Sequence, residues 1–150
     1  MYADKAFIVL ATRIMASLQS GVSMKNPCPC YSGKPYADCC QPLHHGLAAP
    51  DAERLMRSRY SAYALKLPDY ILQTWHADTR PATLTQEDLK GIKWLKLQVL
   101  SHTQVDADHA LVKFVATFQS GQQKKEQLTE HSRFSRESGQ WLYVDAQGDA

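Results

Sequence analysis

The feature that most constrains this chain is the placing of its four cysteines. Cys28 and Cys30 are separated by one residue, eight residues follow, and Cys39 and Cys40 are adjacent. A zinc ion takes about four ligands in a tetrahedron, and four thiolates serve it well. The loop between the pairs contains Ser32-Gly33-Lys34-Pro35, a turn that can fold the chain back so that the pairs converge. Four protein ligands leave no position for water, so a metal held here is structural, not catalytic. Backbone N–H groups of the Tyr31 to Lys34 turn, with Lys25 and Lys34, can offset the excess negative charge. Pairing across the two sets as disulfides remains open under oxidising conditions, whereas a bond within either close pair closes a strained small ring. A redox Cys-x-x-Cys in an α/β pattern is absent from the sequence. His44 and His45 lie near enough to replace a thiolate, but with four cysteines present they read as linker residues.

Apolar residues make up 44% of the 150 and charged residues 21%, the balance of a globular chain able to bury one core. A net charge of +2 does not call for a nucleic-acid or membrane partner. The apolar stretch from Ala6 to Leu18 is interrupted by Arg13. It falls short of the roughly 20 residues a bilayer span needs and makes a poor signal peptide. Residues 1–24 therefore read as an N-terminal extension: either a short helix carrying Phe7, Ala11, Ile14 and Leu18, or an over-extended start ahead of Met24. The compartment expected is the cytoplasm, where thiols stay reduced and clustered cysteines serve as metal ligands.

Residues 25–47 form a turn-rich unit, followed by a linker through His44, His45 and Gly46. From Asp51, a helix cap, Met56, Tyr60, Tyr63 and Leu67 recur at helical spacing. Pro68-Asp69 restarts a second helix with Ile71, Leu72 and Trp75. Thr85 with Asp88 resembles a capping box for a short third helix around Leu89. Alternation then predicts four strands: Leu95, Leu97 and Val99 on one face; Val112, Phe114, Ala116 and Phe118; Leu128, Glu130, Ser132 and Phe134; and Trp141 to Asp145 after a Ser138-Gly139 turn. Three helices and then four antiparallel strands is an α+β layout over 51–150.

The run from Asn26 to Cys40, with all four cysteines, the Ser32-Gly33-Lys34 turn and an aromatic at Tyr36, resembles the SEC-C motif. That motif is a zinc-binding tail found on the translocase motor SecA and on assorted other proteins. Tyr31 stands where the motif usually has glycine. The segments 55–63, 69–76, 130–134 and 139–145 resemble the uncharacterised bacterial YchJ-like family, which joins this motif to a nuclear transport factor 2-like domain. Some members carry a second SEC-C motif after the position of Asp145. The resemblance implies structural zinc on Cys28, Cys30, Cys39 and Cys40 and a cone-like fold, a curved sheet wrapped around helices. It implies no settled activity.

Inside such a cone, Glu130 and Ser132 should point inward with Leu128 and Phe134, and a buried carboxylate needs a partner. Arg57 or Arg59 on the first helix can supply it, with Tyr63 beside them and Trp75 and His76 at the mouth. This candidate pocket can hold a small ligand, or its charges can form an Arg–Glu bridge that fixes helix to sheet. The other aromatics, including Tyr60, Trp94, Trp141 and Tyr143, read as core. No Ser-His-Asp spacing, phosphate loop or His-Glu-x-x-His helix is present, so no catalytic residue is assigned. The leading expectation is an adaptor docking a cytosolic protein through the zinc knuckle, by analogy with the SecA tail, which contacts the chaperone SecB and the ribosome. A ligand-binding protein or enzyme using the cone pocket is the alternative. Weak RNA contact through Lys25, Lys34 and Tyr36 and a homodimer are further possibilities.

Overall fold

The computed structural model describes residues 26–147, so the proposed N-terminal helix or early start lies outside the described residues. After a 3₁₀ turn at Tyr36–Asp38 come helices α1 (Gln41–His44), α2 (Ala52–Leu65), α3 (Pro68–Gln73) and α4 (Gln86–Leu89). Strands β1 (Ile92–Asp106), β2 (His109–Ser120), β3 (Lys125–Glu137) and β4 (Gln140–Gln147) follow. The strands form one antiparallel sheet in the order β1-β2-β3-β4, and α2 packs against β1, β2 and β4. The α+β architecture expected from the sequence is the one observed.

Local chemistry explains the boundaries. Asp51 caps α2 by accepting the Arg54 N–H at 2.8 Å. The helix ends at Lys66 in the left-handed region, φ 59°, and Leu67 N–H returns to the Ala62 carbonyl at 2.9 Å, a Schellman closure. Leu67, expected within the first helix, therefore sits beyond it and leads into α3. Trp75, expected in the second helix, also lies past its end. Pro68 at the first turn opens a helix that stops at Gln73, after which Trp75 forms a parallel bridge to Tyr143 on β4. The Thr85–Asp88 capping box is formed in both directions. Ser138 (φ 51°) and Gly139 (φ 78°) make the two-residue turn between β3 and β4, both in the positive-φ region that such hairpins require.

The sheet bends at bulges, three in β1 and one in β4 opposite Arg133/Phe134. The first corrects the sequence expectation. Leu95 is an inserted residue between the paired Trp94 and Lys96, so Trp94 opposes Phe118 and aligns with Leu97 opposite Ala116 and Val99 opposite Phe114. Trp94 thereby takes the inward place that simple alternation gave to Leu95. Leu55, Ile71, Val112 and Phe134 are fully buried between α2, α3 and the sheet, each stabilising the fold by about 1.5–3 kcal/mol. No described helix is long and apolar enough to cross a membrane.

Candidate functional site

The Ser-Gly-Lys turn closes as its sequence suggests. Cys28 N–H donates to the Lys34 carbonyl at 2.9 Å and Tyr31 N–H to the Cys28 carbonyl at 3.2 Å. The four cysteine sulfurs are unbridged and buried, and all lie within 4.8 Å of one another. Cys30 Sγ is 3.6 Å from Cys39 Sγ, which is 3.9 Å from Cys40 Sγ. A disulfide sets sulfurs about 2.05 Å apart. Tetrahedral metal–sulfur bonds of about 2.3 Å set them about 3.8 Å apart. The cluster can hold a metal ion. With protons alone the sulfurs compete: hydrogen bonds from Cys28 and then Cys40 favour the thiolate of Cys30, and the contact with Cys30 pushes Cys28 up to about 12. Cys40 is also raised, by its contacts with Cys28 and Cys30. A bound cation is what allows all four to ionise together.

The knuckle is seated on α2. Arg57 Nη1 donates to the Cys30 carbonyl and Arg54 Nη2 to the Cys39 carbonyl, each at 3.0 Å. Tyr36 donates its hydroxyl to His44 Nδ1 at 2.6 Å, and His44 Nε2 lies 2.8 Å from the Ser58 carbonyl. A carbonyl only accepts, so Nε2 carries the proton and Nδ1 is the acceptor. His44 thus belongs to α1 and bridges knuckle to α2, which corrects its reading as a linker residue. Tyr31 adopts φ 63°, a left-handed conformation that explains why glycine suits this position. Its hydroxyl donates to the Leu95 carbonyl at the β1 bulge, and its ring meets Tyr60 edge-on at 6.3 Å.

A cavity of about 250 Å³ lies between α2 and the sheet. Of the sequence-predicted residues, Arg59, Tyr63, Trp75, Glu130 and Ser132 line it. Arg57 does not; besides the Cys30 carbonyl it pairs with Glu53 at 3.1 Å. Neither does His76, whose Nε2 lies 2.6 Å from Glu137 Oε2 while Nδ1 accepts the Asp78 N–H. Arg59 is 6% exposed. Its Nη1 donates to the Ile71 carbonyl at 2.7 Å and to Thr74 Oγ1 at 2.8 Å, and its guanidinium lies 4.6 Å from the Tyr143 ring centre and 5.0 Å from that of Trp75. Burial works against the Arg59 charge, and Glu130 is among the neighbours that favour it. Glu130 Oε2 accepts from Ser132 at 2.9 Å and Tyr143 at 3.3 Å; burial, and then the Glu130 charge, push the Tyr143 hydroxyl up. Among the described residues no ion pair within 4.0 Å joins Arg59 to Glu130, so the expected direct Arg–Glu bridge is not formed.

Arg54 has no functional role in the sequence pattern, and Tyr60, Trp94 and Tyr143 read there as core. All three aromatics line the cavity. The available signal for Tyr60 was its place on the same helical stripe as Met56 and Tyr63.

A four-cysteine knuckle seated on a helix-covered antiparallel sheet defines the class: a SEC-C motif joined to a nuclear transport factor 2-like domain. Residues 51–146 match the family model of the YchJ middle NTF2-like domain, and residues 24–42 match that of the SEC-C motif. The chain belongs to the YchJ-like UPF0225 family. It is 48% identical over 121 residues to a UPF0225 protein of Xanthomonas campestris pv. campestris, covering 81% of this chain and 94% of that one. It is 49% identical over 135 residues to a UPF0225 protein of Polaromonas naphthalenivorans, covering 81% and 97%. The solution structure of a SEC-C motif containing protein from Rhodopseudomonas palustris is similar at a TM-score of 0.74 and 34% identity, covering 82% of this chain and 98% of that one. The crystal structure of another, from Psychrobacter arcticus, gives 0.70 and 29%, covering 85% and 86%.

Proposed function

We propose that this chain is a small-molecule-binding protein whose cavity wall is braced by a zinc-filled knuckle. One observation carries the reading. α2 grips the knuckle through Arg54 and Arg57 and also lines the cavity through Met56, Arg59, Tyr60 and Tyr63. A unit held this way supports the helix rather than hanging from it. Four thiolates and the sulfur spacing suit zinc, and the cysteines remain reduced if the protein works in the cytoplasm. The experiment is a screen of small aromatic metabolites by heat stabilisation and tryptophan fluorescence, since Trp75 and Trp94 both line the cavity. Wild-type protein should respond to a subset, and Ala116→Met, which fills the cavity from the sheet side, should abolish that response. No wild-type response to any compound overturns the reading. Metal analysis should find one zinc per chain, absent from Cys39→Ser/Cys40→Ser.

The second reading is an adaptor that docks a cytosolic protein through the knuckle. Leu47 favours it, being 63% exposed just beyond α1, close in sequence to the exposed His45 and Gly46. If this face recruits a partner, Leu47→Asp releases it while leaving zinc content unchanged; an identical set of captured proteins excludes the reading.

A further inference from the structure

The cavity carries one buried cation and one carboxylate that do not neutralise each other by direct contact. Arg59 uses Nη1 on the Ile71 carbonyl and Thr74 Oγ1. Among the described residues, no acceptor meets its Nε or Nη2. Glu130 receives Ser132 and Tyr143 on Oε2, and among the described residues no donor meets Oε1. The wall thus offers donors and an acceptor, with no net charge, on otherwise largely aromatic and apolar surroundings. A bare anion would gain Arg59 and face Glu130; a bare cation would gain Glu130 and face Arg59. In a low-dielectric site the unfavourable contact offsets much of the favourable one. A neutral head with an acceptor next to a donor satisfies both. The volume, about 250 Å³, is larger than the roughly 150 Å³ that encloses a benzene, which leaves room for one ring and a small head.

Resting on the cavity reading above, we infer that the ligand is a small planar aromatic molecule bearing an amide-type edge, such as a primary carboxamide, lactam or ureide. Its carbonyl accepts from Arg59 and its N–H donates to Glu130, while the ring lies against Tyr63, Trp94 and Phe114. Buried polar partners left unmatched make such a site discriminate strongly among isosteres.

The test uses four probes of nearly equal size on the zinc-loaded protein: benzamide, benzoate, benzylamine and toluene. Binding is read from the NMR shifts of the Trp75 and Trp94 indole N–H groups. Benzamide should bind about tenfold or more tighter than each of the others. In Glu130→Gln, whose fold the same spectra report, the carboxylate repulsion is gone, and benzoate should gain about fivefold or more relative to benzamide. Benzoate or benzylamine binding as well as benzamide, or toluene matching it, overturns the amide-edge inference while leaving the cavity as a binding site. An unchanged benzoate-to-benzamide ratio in Glu130→Gln also overturns it. Silence from all four probes at about 10 mM overturns both the inference and the cavity reading beneath it.

Discussion

Replacing Arg57 by Met should weaken metal retention even though residue 57 ligates nothing. Its guanidinium donates to the carbonyl of Cys30 at 3.0 Å and pairs with Glu53 at 3.1 Å, with the arginine side chain 18% exposed. A hydrogen bond from a charged donor contributes about 1.5–3 kcal/mol net, and an i,i+4 helix pair of this exposure adds only about 0.3–0.5 kcal/mol. Met retains most of the apolar stem, so the packing loss is small. The Cys30 contact requires the folded, closed knuckle, and its loss therefore falls on the metal-bound state. About 2–3 kcal/mol corresponds to roughly 30- to 150-fold in affinity, overlapping the 10- to 100-fold usual for groups that orient a metal's ligands. Competition with a chromophoric zinc chelator measures it directly. Arg57→Met should surrender zinc at correspondingly lower chelator concentration, with the exposed Lys93→Met as control. An affinity for Arg57→Met within about twofold of wild type would refute the reasoning that α2 holds the knuckle closed.

Other outcomes follow from the same contacts. Burial lowers the pKa of His44 below its usual value, so folding selects the neutral ring and the unfolded chain takes up the proton first. The His44 contribution is therefore complete above about pH 6.5 and is lost as pH falls through the depressed folded value. Urea unfolding from pH 7.5 to 5.5 should show a steeper loss for wild type than for His44→Gln, and parallel profiles would contradict this. Lys66→Gly relieves a left-handed backbone and should stabilise by about 0.5–1 kcal/mol in chemical denaturation; a loss of stability would mean the strain is not there. Tyr31→Gly relieves similar strain but removes the hydroxyl bond to Leu95 and the ring contact with Tyr60, each worth about 0.5–1.5 kcal/mol. Its expected net effect is destabilising, and a gain in melting temperature would argue otherwise.

The four-cysteine cluster, which can hold a metal ion, was legible because coordination needs residue types at a spacing, and the cysteines supply both within one turn-rich segment. The helices and strands were legible from periodicity. The departures arise where one residue shifts the phase. Nothing around Leu95 marks a bulge; no glycine stands there, and only pairing with β2 reveals that Trp94 turns inward. The two arginines were separable in principle. At about 100° per residue, Arg57 and Arg59 lie about 200° apart, so one helix cannot present both to the same cavity. Phasing against Met56, Tyr60 and Tyr63 puts Arg59 at the edge of the apolar stripe and Arg57 on the opposite flank, where the knuckle sits. His76 could not be placed from sequence, because its position depends on the short α3 and on the Trp75–Tyr143 bridge. From sequence His44 reads as a ligand or a linker residue, whereas its two ring nitrogens serve a third purpose, joining two units by hydrogen bonds.

The most direct measurement of whether the knuckle braces the cavity wall is amide hydrogen exchange on zinc-loaded and chelator-stripped protein, followed peptide by peptide. Protection over residues 52–65 should fall together with that over 26–47 when the metal is removed, because Arg54, Arg57 and His44 tie the two segments together. Loss of protection confined to 26–47, with α2 unchanged, would show that the knuckle is an independent appendage and contradict the brace.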